Sequence, residues 1–267
     1  MNPHPKKIKY IQYLSKEFSL NEAEIVEENP ISLSVNGDDW LTFMCTPTDL
    51  KELGAGFLFN EGVISNFREI ESIRLCQSGA NIDIWLNKTF RKPKNWFRTS
   101  GCTGGVSSIN FEEINIQVGS STRNKTNLNP EQVEKLVELL FKSQNLYRKY
   151  GGIHTSALCF SDQITVSKED IGRHNTLDKI AGFCLLNSLE MNDGIIVTTG
   201  RISSEMIQKC IRMGVSNVIS RTSPSSLSIQ LAKKFDITLI GYARKNQFRI
   251  YSNENRINLM SFTGKLD

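Results

Sequence analysis

From residue 129 onward, short apolar runs alternate with amphipathic stretches, and this rhythm restricts the fold more than any other feature. N-P-E-Q-V-E-K-L-V-E-L-L-F reads as a helix with Asn129 as N-cap and Pro130 at its first position; Val133, Leu136, Val137 and Leu140 form its apolar stripe. Two strands follow, I-H-T-S-A-L-C-F and Q-I-T-V-S, then a helix with Leu177, Ile180, Ala181, Cys184 and Leu185 on one face. The remainder reads strand G-I-I-V-T-T, helix S-S-E-M-I-Q-K-C-I-R-M-G, strand N-V-I-S, helix S-P-S-S-L-S-I-Q-L-A-K-K-F, strand I-T-L-I-G-Y, with F-R-I-Y-S as an edge strand. Strands that are apolar throughout belong to a sheet covered by helices on both faces, so the class is α/β with a mixed sheet.

The first half has a different character. Residues 24–44 read as a β-hairpin turning at Asn36-Gly37, with alternating apolar residues on either side. A helix rich in Leu50, Leu53, Phe57, Leu58 and Phe59 follows, with Thr48 as its expected N-cap and Gly62 at its end. N-I-D-I-W-L-N alternates as another strand. The polar stretch 119–129 separates the halves, giving a strand-rich unit over 1–122 and an α/β unit over 123–267.

Composition adds exclusions. With 39% hydrophobic and 22% charged residues the chain reads as an ordinary soluble protein, and no apolar run is long enough to span a bilayer. The basic N-terminus lacks the apolar core of a secretory signal, which places the protein in the cytoplasm. A net charge of +4, spread along the chain, suits a small polyanion and does not indicate nucleic acid. The six cysteines contain no C-x-x-C pair. Cys45, Cys76, Cys159, Cys184 and Cys210 lie in apolar patterns and read as core. Cys102, in T-S-G-C-T-G-G-V-S-S, lies among glycines and hydroxyls, with Arg98 nearby to favour a thiolate. Signatures of zinc deaminases, P-loops and serine hydrolases are absent.

Three segments could carry chemistry, and two of them are loops at strand ends, where ligands of open α/β sheets bind. T-T-G-R-I-S-S-E turns at Gly200 and opens a helix near Ser203, so free N–H groups and Arg201 make an anion site. S-R-T-S-P-S-S-L repeats the arrangement with Arg221 before a helix start at Ser223-Pro224. The alternative is that both are simply capped helices. In K-E-D-I-G-R-H-N-T-L-D-K, Asp170, Arg173, His174, Asn175 and Asp178 crowd a loop-to-helix junction, where the helix dipole would keep His174 neutral. The alternative there is an exposed helix start with Asp178 facing solvent. His154 follows a glycine pair and reads more readily as structural.

These segments, with E-L-G-A-G-F-L-F-N-E-G-V-I and L-I-G-Y-A-R-K-N-Q-F-R-I-Y-S, occur in an order that resembles the FdhD family of formate dehydrogenase accessory sulfurtransferases. The resemblance implies a sulfur carrier. Cys102 would take sulfur from a cysteine desulfurase as a persulfide. It would pass it to the molybdenum or tungsten bis(guanine dinucleotide) pterin cofactor, bound as substrate, before insertion into formate dehydrogenase. The resemblance further implies a cytidine deaminase-like larger domain without zinc, a homodimer, and a cofactor segment at Tyr242, Ala243, Arg244, Lys245, Asn246 and Gln247. GDP-like nucleotides would fit that segment, and Arg173, His174, Arg201, Ser203 and Arg221 would complete it. Some family members carry C-x-x-C in the glycine loop; here Gly105 takes the second position, which leaves Cys102 alone. Two other readings compete: a chaperone that delivers the cofactor without sulfur transfer, and a nucleotide hydrolase, for which no nucleophile–base pair is visible.

Overall fold

The computed structural model describes residues 6–77, 79–90, 97–98, 106–107 and 127–258. The chain opens with an antiparallel ribbon, β1 (Lys6–Leu14) and β2 (Glu17–Ile25), which the sequence reading missed. Its two-residue turn places Ser15 at φ 52° and Lys16 at φ 72°, positions that Asn-Gly usually fills. The expected hairpin follows as β3 (Asn29–Val35) and β4 (Asp38–Cys45), with left-handed Asn36 and Gly37 at the turn. After α1 (Leu50–Asn60) come β5 (Ile70–Leu75) and β6 (Asn81–Leu86). They complete a four-stranded sheet in the order β4-β3-β6-β5, in which only β3 and β6 run parallel. Leu33, Ile82 and Ile84 of this sheet pack on Leu53, Phe57 and Leu58 of α1, and Phe43 meets Phe57 edge-on at 5.2 Å.

The N-cap of α1 is Asp49, not Thr48, and it sits in the left-handed region without a side-chain cap bond. The Thr48 hydroxyl is engaged elsewhere, accepting from Lys179 at 3.2 Å. A two-residue antiparallel pairing joins β7 (Phe97–Arg98) to β8 (Val106–Ser107), flanking the glycine loop in sequence. Cys102, Gly105 and the polar stretch 119–126 lie outside the described residues.

The second half contains α2 (Pro130–Ser143), α3 (Leu146–Tyr150), β9 (His154–Phe160), β10 (Gln163–Asp170) and α4 (Arg173–Leu186). It continues with β11 (Ile195–Thr198), α5 (Ser204–Arg212), β12 (Asn217–Ser220), α6 (Ser226–Lys234), β13 (Thr238–Arg244) and β14 (Gln247–Ser252). Asn129 caps α2 through the N–H of Gln132, as read. The N-cap of α6 is Ser225, two residues beyond the expected start, because Pro224 forms a bridge with Ile202. The strands form one mixed sheet, β10-β9-β11-β12-β13-β14, whose centre, β11 to β13, is parallel. Leu158, Ile196, Val218 and Leu239 face α4, α5 and α6, while Ala157, Val197, Ile219 and Ile240 face α2. Helices thus cover both faces.

The two halves meet where α1 crosses α4. A Cβ on Gly56 would lie 1.8 Å from the Asp178 carbonyl oxygen, and one on Gly182 would lie 1.8 Å from that of Glu52. Only glycine lets the two helix backbones touch. Around this crossing lie two buried ion pairs. Lys209 contacts Asp178 at 2.7 and 3.0 Å, and Asn60 donates to the same carboxylate at 2.8 Å. Lys179 contacts Asp170 at 2.7 Å and donates to the Thr46 carbonyl. Asp178 is therefore buried and does not face solvent.

Candidate functional site

The carboxyl ends of β11, β12 and β13 are held side by side by backbone bonds between their loops. Arg221 N–H donates to Thr198, Ile202 N–H to Ser223, and Tyr242 N–H to Thr222, at 3.0–3.1 Å. A chain of hydroxyls locks the first loop from beneath: Ser156 lies 2.7 Å from Thr176 and 2.8 Å from Thr198, and Thr198 accepts from Gly200 N–H. Gly200 is needed for close approach, since a Cβ there would lie 2.9 Å from that of Arg173.

Five of the residues singled out in the sequence gather at this edge beside α4. Ser203 is the N-cap of α5, and its hydroxyl lies 3.0 Å from His174 Nε2. Glu205 Oε2 is 3.9 Å from the same nitrogen and makes no hydrogen bond. Burial, and then the charges of Arg173, Lys209 and His154, push the His174 pKa down to about 3. The residue is neutral, as the sequence suggested, but burial is the first cause. His154 Nδ1 lies 3.4 Å from the Thr199 hydroxyl, which already accepts from Thr155 N–H. That hydroxyl also has a proton to donate and a second lone pair, so it can serve Nδ1 in either tautomer of His154. Burial and Arg173 also hold its pKa below the ordinary imidazole value, with a smaller effect of Arg201 in the same direction. Arg173 is buried, and its Nε has no partner.

Two more arginines form a neighbouring pair. Arg221 stacks on the Phe141 ring at 4.2 Å, and its Nε is buried without a partner. Burial, followed by the nearby charge of Arg244, lowers its pKa. Tyr242 takes a left-handed backbone at φ 53°, beneath the Arg249 guanidinium at 4.3 Å, and Ala243 is buried. The tip of the segment turns away: Asn246 N–H donates to Glu134, Lys245 acts on Glu138, and Gln247 begins β14 in solvent. Tyr242–Arg244 therefore belongs with the strand ends, whereas Lys245–Gln247 leans toward α2.

Asp170, Asn175 and Asp178 do not join this cluster. Asp170 accepts from Thr46 N–H, Gly172 N–H and Asn175 in addition to Lys179. The spacing of Asn175, Asp178, Lys179 and Gly182, at i, i+3, i+4 and i+7, puts them on one helix face, and this signal was available in the sequence. Thr199, Glu205 and the Ser156–Thr176–Thr198 chain were missed; the small hydroxyls interrupting apolar runs were their only trace.

Among the described thiols, burial pushes Cys45, Cys159 and Cys210 up to about 12 and Cys184 to about 11, so these sulfurs are inert. Cys76 corrects the sequence reading: it is exposed, and its sulfur accepts from Asn81 N–H at 3.1 Å. No metal-binding group of His, Cys, Asp and Glu occurs among the described residues. A groove of about 550 Å³ at the far edge, near Phe59, Phe67, Leu189 and Arg212, contains none of the singled-out site residues. The strand-end cluster, with unpaired guanidinium donors and two neutral imidazoles, is chemically suited to hold an anion.

The FdhD/NarQ family profile matches residues 26–258. The chain belongs to the FdhD/NarQ family. It is 36% identical over 260 residues to a sulfur carrier protein FdhD from Bacillus pumilus, covering 96% of this chain and 99% of that one. The Bacillus subtilis protein of the same name is 34% identical over 248 residues, covering 92% and 95%. The crystal structure of a formate dehydrogenase accessory protein from Desulfotalea psychrophila superposes with a TM-score of 0.75 at 26% identity, covering 96% of this chain and 100% of that chain. The family match spans both halves, and with them the ion-paired clasp and the strand-end arginines.

Proposed function

We propose that this protein is a sulfur carrier serving formate dehydrogenase, with Cys102 as the sulfur-bearing residue and the strand-end cluster as the cofactor-binding surface. Support comes from near full-length similarity to proteins named sulfur carriers. The unpaired, buried Nε atoms of Arg173 and Arg221 at one sheet edge are the structural observation that carries the cofactor part. Such donors have no hydrogen-bond partner within the chain and match the phosphates of a guanine dinucleotide.

In the proposed cycle, the Cys102 thiolate attacks the terminal sulfur of a desulfurase persulfide. The sulfur–sulfur bond in the donor breaks, the donor cysteine leaves as a thiolate, and Cys102 becomes the persulfide. The cargo is the molybdenum or tungsten bis(guanine dinucleotide) cofactor, held by Arg173, Arg201, Arg221, Ser203 and Tyr242–Arg244. Neutral His154 offers a hydrogen-bonding group there without adding charge. The assembly works as a homodimer in the cytoplasm. No described helix is long and apolar enough to cross a membrane.

Cofactor delivery without sulfur transfer is the second reading, because the arginine cluster alone supports binding. One experiment separates the two. Cys102→Ala should bind GDP with unchanged affinity in calorimetry, acquire no extra sulfur by mass spectrometry after incubation with desulfurase and cysteine, and yield inactive formate dehydrogenase. Arg221→Ala with Arg244→Ala should lose GDP binding. Active dehydrogenase from the cysteine variant would leave delivery as the function.

A further inference from the structure

The ribbon of β1 and β2 precedes the stretch matched by the family profile, which begins at residue 26. Every residue of β1 is exposed, and β2 is at most half-buried. Directly opposed residues of an antiparallel pair share a face. The register therefore assigns to one face Lys7 opposite Glu24 and Lys9 opposite Glu22, then Ile11 opposite Leu20 and Tyr13 opposite Phe18 toward the tip. The last four are 72, 71, 62 and 75% exposed, in that order, and the Tyr13 and Phe18 rings lie 5.0 Å apart. The base of the ribbon is tied to the body by Glu24, which holds Lys149 at 3.1 Å. A two-stranded ribbon without a packed face is marginal in water, so this one needs a cover.

We propose that this face is a dimerisation arm that stacks on the same face of a second copy, about a two-fold axis running along the ribbon. Such an axis lays β1 over the partner's β2. The apolar quartets then meet, and Lys7 and Lys9 stand over the partner's Glu24 and Glu22. The face is complementary to itself, as an isologous interface requires. Lys6, Lys7, Lys9 and Lys16 nearly balance Glu17, Glu22 and Glu24, so two copies approach without strong repulsion. A bilayer is a poorer cover, because Glu17 stands at the tip beside Phe18 and opposite Leu14 and would be carried into it. An occasional protein partner is poorer too, since the ribbon needs cover whenever the chain is folded, and a second copy is always present in equal amount. The inference does not depend on the sulfur role.

The test uses the full chain. Sedimentation velocity should show a dimer at micromolar concentration. The triple variant Ile11→Ser, Phe18→Ser, Leu20→Ser should dissociate at least about 100-fold more readily, with an unchanged far-UV spectrum and melting of the body. A photo-crosslinking phenylalanine at position 13, in a mixture of light and heavy isotope-labelled protein, should give light–heavy crosslinks between ribbons. A monomeric parent protein, a variant that stays dimeric, crosslinks confined to one chain, or ribbon-dependent binding to phosphatidylserine vesicles would each overturn the proposal.

Discussion

His174 shows how burial rather than position tunes a site. It sits at the start of α4, 3.0 Å from the Ser203 hydroxyl, and is closed off by Arg173 and the α5 loop. Its pKa near 3 lies well below the 6.5 of a free imidazole. Between those values the unfolded chain takes up a proton that the folded chain refuses. This contribution to stability is therefore fully present above pH 6.5 and is lost as pH falls toward 3. At pH 5 the loss amounts to about 2 kcal/mol. His174→Gln keeps a polar group near Ser203 and removes the titration, so the drop in urea midpoint between pH 7 and pH 5 should be smaller by about that amount. An identical drop in both proteins would show that His174 is protonated while folded. Arg173 serves the same end from the other side: its positive charge disfavours a proton on either histidine, which keeps the strand-end cluster from acquiring two more titrating charges near neutral pH.

At the level of elements, the crossing of α1 and α4 is fixed by Gly56 and Gly182, and the two α1 glycines Gly54 and Gly56 differ in what they meet. A Cβ on Gly56 meets the Asp178 carbonyl at 1.8 Å, a backbone atom that can yield only if the helices part. A Cβ on Gly54 meets the ends of Ile82 and Ile84 at 2.9 and 3.0 Å, which can rotate. Gly54→Ala should therefore cost little, offset by about 1 kcal/mol of improved helix propensity, whereas Gly56→Ala should cost about 3 kcal/mol or more. Thermal melts of the two variants would rank them, and the reverse order would mean that the helices separate easily. The elements themselves were mostly legible. Strands β9 and β11 to β13 and helices α2 and α4 to α6 follow apolar periods, and Asn36-Gly37 marks its turn. The ribbon β1–β2 was not legible, for two physical reasons. Its apolar residues occupy both faces, which erases the period of two, and its turn uses Ser15 and Lys16 instead of glycine or asparagine. Of the site, the loops bearing Arg201, Ser203 and Arg221 stood out as polar interruptions at strand ends. The division within the Asp170–Lys179 motif was only half legible: the spacing puts Asn175, Asp178, Lys179 and Gly182 on one helix face, but that this face turns inward is seen only once the position of α1 is known.

For the whole molecule, the segment K-E-D-I-G-R-H-N-T-L-D-K serves mainly to join the two halves. Lys179 and Asp170 are fully buried, and Lys179 also reaches the carbonyl oxygens of Thr46 and Glu169. Thr46 returns two bonds, from its N–H to Asp170 and from Ile171 N–H to its hydroxyl. One cluster thus ties the end of β4 to the start of α4, and α4 supplies Arg173 and His174 to the strand-end cluster. The strand-rich half consequently bears on the site without contributing a described residue to it. This coupling can be read with two probes. All three tryptophans, Trp40, Trp85 and Trp96, lie in the first half, whereas most of the helical signal comes from α2 and α4 to α6 in the second. In the parent protein, denaturation followed by tryptophan fluorescence and by far-UV circular dichroism should coincide. Lys179→Met leaves a buried carboxylate without its cation, at a cost of about 3–5 kcal/mol that falls on the joint between the halves. The fluorescence transition should then precede the dichroism transition. If the two still coincide in the variant, the halves are held together by the α1–α4 crossing alone, and the buried pair contributes stability without coupling.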